Sequence, residues 1–178
     1  MTAQMFWLNV LTSFTASFIF LFSILILFKP KILISPHICK ARLFNGDQTD
    51  YYFIKIINYS LFGAYDLKVE LLQSETYTSE KGQMNTRNTS LRLVVGEVSH
   101  IPGYRPSWIR KNAPYAIRVR TIDNLEPILT NDHKSVLVKV SLRHGLTGLA
   151  NVKTRYYSDI SHLKQGRFKY GLSFGVLH

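Results

Sequence analysis

Six basic side chains sit on the polar phase of segments with alternating hydrophobicity: Arg118 and Arg120, Lys139 and Arg143, Lys153 and Arg155. Alternate residues of a strand share one face. If these strands neighbour one another, the six form a single cationic surface suited to a nucleotide, a lipid headgroup or an acidic protein. Lys29, Lys31, Lys40 and Arg42 follow directly on a long apolar stretch. There each base contributes about 1 kcal/mol toward anionic lipid. A third set is uncharged. Thr12 and Ala16, and Ser13 and Ser17, are each four apart, so each pair shares a helix face that suits helix–helix contact.

Other chemistries find no support. The histidines at 37, 100, 133, 144, 162 and 178 do not pair with one another, or with Cys39, at a short ligand spacing, so neither a metal nor a cofactor is expected. There is no glycine-rich phosphate loop, nucleophile elbow or HExxH helix. Asp123 and Glu126 read as turn carboxylates. No enzymatic activity is expected. No recognition motif accompanies the basic charge, so nucleic acid is not an expected partner.

The elements that must position these residues divide the chain in two. Residues 1–28 contain no Asp, Glu, Lys or Arg, so the remainder carries all 22 basic and 11 acidic side chains and the whole net charge of +11. Residues 6–28 are long enough and apolar enough for a transmembrane helix, since about 20 such residues cross a bilayer core. A signal peptide fits less well: no basic segment precedes the stretch and no small-x-small site follows it. Basic residues lie only on the C-terminal flank, which predicts the N-terminus outside and the domain in the cytoplasm of a single-pass cell-membrane protein. The expected organisation is a short tail (1–5), the transmembrane helix (6–28), a basic juxtamembrane linker (29–36) and a β domain (37–178). The single cysteine excludes an internal disulfide framework, and near a membrane it is either inert or a site of S-acylation.

Beyond Pro36 the dominant signal has period two. Tyr65, Leu67, Val69 and Leu71 alternate with Asp66, Lys68 and Glu70; Ile117 and Val119 with Arg118 and Arg120; Val136, Val138, Val140 and Leu142 with polar partners. Phe168 to Phe174 alternates in the same way, Tyr51–Ile57 is rich in β-formers, and Leu91–Val95 reads as a shorter strand. Turn signals fall at Asn45-Gly46, 58–63, 79–90, 102–106, 123–134 and 145–148. Of these, 79–90 reads as a mobile loop. The fold expected is mainly β: one N-terminal transmembrane helix followed by a β-sandwich.

Read in order, four stretches resemble the cytoplasmic domain of inward-rectifier potassium channels, an immunoglobulin-like β-sandwich. Lys29-Pro-Lys-Ile-Leu-Ile-Ser-Pro-His37 is similar to the basic junction and strand after that family's inner helix. Phe44-Asn-Gly-Asp47, with residues 52–57 and 64–72, is similar to the hairpin region that follows. Ile122-Asp-Asn-Leu-Glu-Pro-Ile128 resembles the family's "ID-x-x-SPL" motif, with Glu126 in place of Ser. Residues 143–160, then Gly166-Arg-Phe168, resemble the glycine-containing loop and closing element. The resemblance implies lipid binding at Lys29 and Lys31, with Lys40 and Arg42 as weaker additions, and a tetramer of lone inner helices.

The departures are equally specific. The sequence contains no pore helix and no "T-x-G-Y/F-G" filter, and potassium selectivity depends on four such loops presenting backbone carbonyls. The helix carries no acid, and Arg143 and His144 stand where the family often places acids facing the ion path. The function expected is therefore a truncated or accessory inward-rectifier-like component, a homo-oligomer or partner of a pore-forming subunit. The alternative is a membrane-anchored sensor or adaptor whose cationic face binds a nucleotide, lipid headgroup or acidic protein.

Overall fold

The computed structural model describes residues 3–27, 31–43, 48–106 and 112–177. Helix α1 (Ala3–Leu27) contains no charged side chain, and its apolar span, 4–24, is long enough to cross a membrane. The span is not buried in the rest of the chain. Thr12, Thr15 and Ser23 turn their hydroxyls onto the carbonyls of Leu8, Leu11 and Ile19, so these polar groups are satisfied within the helix itself. Asn9, Ser13 and Ser17 line a shallow groove along one side of α1 with Phe6, Val10 and Phe14.

The remainder is mainly β, and two sheets enclose one apolar core. In the first sheet β3 (Asp50–Asn58) has both edges paired. β7 (Ala116–Thr121) lies antiparallel along one edge. The other edge is shared end to end by β1 (Ile32–Ile34) and β2 (Ile38–Arg42). β10 (Leu163–Gln165) adds in parallel to β2. In the second sheet the long β4 (Ala64–Thr78) pairs with β8 (Lys134–His144), and β8 with β9 (Ala150–Tyr157). The far edge of β4 is shared by β5 (Met84–Leu91) and β6 (Glu97–Ile101). A short helix α2 (Glu126–Leu129) plugs one end of the core with Leu125, Ile128 and Leu129. A two-stranded ribbon of β11 (Arg167–Phe168) and β12 (Val176–Leu177) ends the chain.

Alternation explains the core directly. Ile32, Ile34, Ile54 and Ile56 of the first sheet meet Leu67, Val69, Leu71, Val136, Val138 and Val140 of the second. Tyr157 is fully buried and donates to the Ser35 carbonyl at 2.6 Å, tying β9 to the break between β1 and β2. Burial pushes its phenol up to about 12, so it stays a donor throughout the working range.

Several elements differ from the sequence expectation. The sheet begins at Ile32, inside the segment read as a linker, and α1 already begins at Ala3, ahead of residue 6. Residues 79–90 are not a loop throughout. Only 79–83 turn, and Met84–Leu91 pair with Thr78–Leu71 as an exposed, polar ribbon. Its backbone ladder needs no apolar face, which is why hydrophobic periodicity overlooks it. Residues 91–95 give way to a single bridge, Leu93 with Thr121, and β6 follows one turn later. The alternating run from Phe168 to Phe174 forms only the two-residue β11 before the chain folds over the first sheet. The Phe44–Asp47 motif and Lys29 lie outside the described residues.

Asn58 closes one end of the domain. Its amide nitrogen donates to the Phe62 and Pro102 carbonyls at 3.0 and 3.2 Å, and its oxygen accepts from the Ser60 backbone N–H and hydroxyl. The neighbouring loop approaches so closely that a Cβ at Gly103 would stand 2.2 Å from the Leu61 carbonyl oxygen. Asn58 is fully buried. Asn58→Ala strands several buried polar groups and is expected to cost about 3 kcal/mol in urea unfolding. Asn88→Ala, on the exposed ribbon, serves as the neutral control.

Candidate functional site

The six basic residues of the alternating segments fall into three separate places. Lys139 and Arg143 lie on the outer face of the second sheet. There Lys139 pairs with Glu70 at 3.0 Å and Arg143 approaches Asp66 at 3.9 Å. Lys153 and Arg155 are in register with the inward residues Val140 and Val138, so they point the opposite way from Lys139 along the edge strand β9. Arg155 reaches the Ile34 carbonyl and lies over the Tyr157 ring. Arg118 and Arg120 are on the other sheet altogether. A one-residue parity difference and a change of sheet split what the sequence placed together.

The lipid-binding set also divides. Lys40 is in register with Tyr52, whereas Lys31 accepts at its carbonyl from Tyr59. Seven residues of strand separate the two levels, about 23 Å. Lys40 is further neutralised by Glu126 at 2.7 Å and Asp50 at 3.2 Å, and Arg42 by Asp50 at 3.0 Å. The hydrogen bond that Lys40 donates to Glu126 holds its ammonium firmly charged, and Arg42 first and Lys40 second hold Asp50 below the usual carboxylate range. These groups brace the end of the domain farthest from α1. Of the four, Lys31 alone among the described residues stands at the end where the chain arrives from the helix.

What the structure does bring together is the outer face of the first sheet. Register places Arg118 beside Lys55, Arg120 beside Phe53, Ala41 beside Tyr51, and Lys164 beside Cys39 on this one surface. The Arg120 guanidinium lies 5.4 Å from the Tyr51 ring centre and that of Arg118 5.6 Å from Tyr170. Such stacking holds each guanidinium flat while leaving its N–H groups free. Among the described residues no carboxylate pairs with Arg118, Arg120 or Lys164. The absence of acid is also felt locally: the charges that act on Cys39 are Lys164 and Arg118, both cationic. Burial nevertheless dominates there and pushes the Cys39 thiol up to about 11. The cysteine is fully buried, which disposes of S-acylation and leaves the inert reading.

Lys55 organises this face, and sequence reasoning passed it over because it sits in an ordinary apolar run. Its residue is 2% exposed, and its Nζ donates to the carbonyls of Lys169 and Ser173 at 2.7 and 2.8 Å. The amine thus pins residues 169–173 across the sheet and sets Tyr170 above Arg118. Leu172 and Phe174 pack alongside on Ile57, Ala113 and Tyr115. A small cleft of about 60 Å³ remains between Lys55, Arg118, Asn112 and Tyr170. Neither a metal-ligand cluster nor a nucleophile–base pair occurs on this face among the described residues. Its chemistry is recognition of an anion with a flat partner for the exposed rings.

Burial first, and Arg118 second, lower the Lys55 amine to about 8. The unfolded chain returns it to its ordinary value near 10.4. Between these values the unfolded state binds the extra proton, so folding stability rises with pH from about 8 to about 10. Urea midpoints measured across that window should rise for the native chain relative to Lys55→Met, which removes the titrating group but keeps the stem. Parallel curves would refute this assignment.

No family model matches the sequence, and no curated protein matches it. Among solved structures, the sporulation control protein Spo0M from Bacillus subtilis is similar over 76% of this chain, with 10% identity and a TM-score of 0.38. The chain spans about half of that protein, 49% of its length. A Northeast Structural Genomics Consortium target is similar over 80% of this chain and 94% of its own, with 12% identity and a TM-score of 0.31.

Proposed function

We propose that this protein is a membrane-anchored sensor domain that binds a phosphate-bearing ligand of the nucleotide class on the outer face of its first sheet. The observation that supports this reading is that Arg118, Arg120 and Lys164, without a described carboxylate partner, share one face of the sheet with the half-buried Tyr51 and exposed Tyr170 rings. Guanidinium groups match phosphate oxygens in a bidentate fork, and the rings of Tyr51 and Tyr170 supply flat surfaces for a base. On this reading α1 crosses the cell membrane with the N-terminus outside, the domain lies in the cytoplasm where phosphorylated ligands occur, and the two sheets form an immunoglobulin-like sandwich. The protein binds rather than transforms its ligand.

The test is titration of the full-length protein in nanodiscs with ATP and, separately, with pyrophosphate. Arg118→Ala and Arg120→Ala should each weaken ATP binding about tenfold, as expected for one charge-assisted hydrogen bond. Lys139→Ala, on the other sheet, should leave it unchanged. Equal effects from all three, or none from any, would count against the proposal.

A second reading keeps the resemblance to inward rectifiers: a truncated or accessory channel component assembling as a tetramer or with a pore-forming subunit. It is favoured by the groove of Asn9, Ser13 and Ser17 along an unpartnered helix, a face on which small residues let helices approach closely. Native mass measurement in mild detergent should then give a tetramer that Ser13→Leu and Ser17→Leu dissociate. A monomer for the native chain would exclude homotetramers.

A further inference from the structure

Chain connectivity fixes which end of the domain lies nearest α1. Four Cα steps separate Leu27 from Lys31, a reach of at most about 14 Å. Lys31 sits at the end of the first sheet where its carbonyl accepts from Tyr59. Three loops gather at this same end: residues 58–63, 101–106 and 145–149. They are stitched together by Tyr104 N–H to the Ser60 carbonyl at 2.7 Å and by Gly145 N–H to the Gly63 carbonyl at 2.8 Å.

The composition of this end is unlike the rest of the surface. Leu61 at 79% and Leu146 at 56% are among the most exposed aliphatic side chains of the domain. Leu61 projects from a loop that the Asn58 network holds in place, and Leu146 from one tied to Gly63 through the Gly145 N–H. Tyr59 stacks on Tyr104 at 5.2 Å, and Tyr104 meets Tyr115 edge-on at 5.1 Å, a short ladder of amphipathic rings. Arg105 is exposed beside them. An open cleft of about 390 Å³ lies between Leu61, Tyr65, His100, Arg105 and Leu146. The three loops contain no Asp or Glu. At the opposite end stand Asp50, Glu75, Glu80, Asp123, Glu126 and Asp132. Asp66, one residue from Tyr65 of the cleft, is the acid nearest these loops and is turned to Arg143 at 3.9 Å. The domain is therefore electrically polarised along its strands, with its acid-poor end closest to the helix.

The geometry points to this end as a docking surface for an anionic bilayer. We infer that Leu61 and Leu146 insert at the headgroup–acyl boundary, while Arg105 and Lys31 meet lipid phosphates in and beside the cleft. Each part fits the role. Exposed aliphatic side chains gain from leaving water, tyrosines favour the interface, and each base near the surface draws anionic lipid. The helix removes most of the association cost, because the short tether keeps the surface at high effective concentration beside its target. The site differs from the basic set of the juxtamembrane sequence, since Lys40 and Arg42 are at the wrong end and ion-paired. The inference rests on α1 spanning the membrane, and the experiment tests that separately.

The full-length protein is placed in nanodiscs of phosphatidylcholine with or without phosphatidylserine. An environment-sensitive fluorophore is attached at Leu61→Cys, Leu146→Cys, Lys81→Cys on the far turn, or Phe18→Cys in the helix. Cys39 is buried, so the unsubstituted chain serves as the labelling blank. Quenching at Phe18 by deep doxyl lipid is expected and confirms the span. The labels at 61 and 146 should shift to the blue and be quenched by shallow doxyl lipid in anionic discs, while that at 81 stays in water. Arg105→Ala should lower the ratio of docked to undocked label about fivefold, the equivalent of one surface charge. If Phe18 is quenched but 61 and 146 behave like 81, the docking surface is wrong and the span stands. An unquenched Phe18 overturns both.

Discussion

β3 carries two buried polar side chains, Lys55 and Asn58, and the two surfaces that could meet a partner both depend on them. Both its edges are paired, so its backbone is fixed independently of either side chain. Lys55 points outward and finds no carboxylate; it is held by two backbone carbonyls of the C-terminal segment. Asn58 lies on the inward phase and spends its amide on the loops at the end of the domain. Burying such groups is costly unless their hydrogen bonds are complete, and here they are completed by segments distant in sequence. The price is that those segments must take up one particular path.

From Lys55 follows the layout of the outer face. Pinning residues 169–173 over the sheet covers Ile57 and Tyr115 with Leu172 and Phe174 and sets the Tyr170 ring over Arg118. The two arginines are left over tyrosine rings with no described carboxylate partner. From Asn58 follows the other surface, because Leu61 and Arg105 sit on loops that would not converge without it. A ligand on the first surface and a bilayer on the second would act on the same strand, 55 and 58 being three residues apart. Binding at the sheet face and docking at its end therefore share one rigid element, which is the physical basis on which either could influence the other.

The charge distribution separates the remaining basic residues by role. Lys40, Arg42, Lys139 and Arg143 sit within 4 Å of carboxylates and brace strand ends and neighbouring strands. Exposed pairs of this kind add little to stability, about 0–1 kcal/mol each. They do remove those cations from competition for an outside anion.

Much of this architecture was legible from residue order. The uncharged run gave the helix, a run of β-formers gave β3, and strict alternation gave β4, β7 and β8, because those last strands bury one face and local composition records burial. β5 escaped notice because both its faces are wet and only backbone pairing makes it a strand. The Phe168–Phe174 run misled in the opposite sense: its alternation is real, but its backbone partners are the Lys55 amine and a two-residue ribbon rather than a neighbouring strand. The sequence alone determined that the chain is a charged β domain behind one apolar helix, since charge segregation and periodicity are local properties. Which cations face one another was decided only by tertiary structure. Parity within a strand is readable, but the choice of sheet, the register between strands and the fold-back of the C-terminus are set by contacts distant in sequence, as from Lys55 to Arg118 and to Lys169 and Ser173.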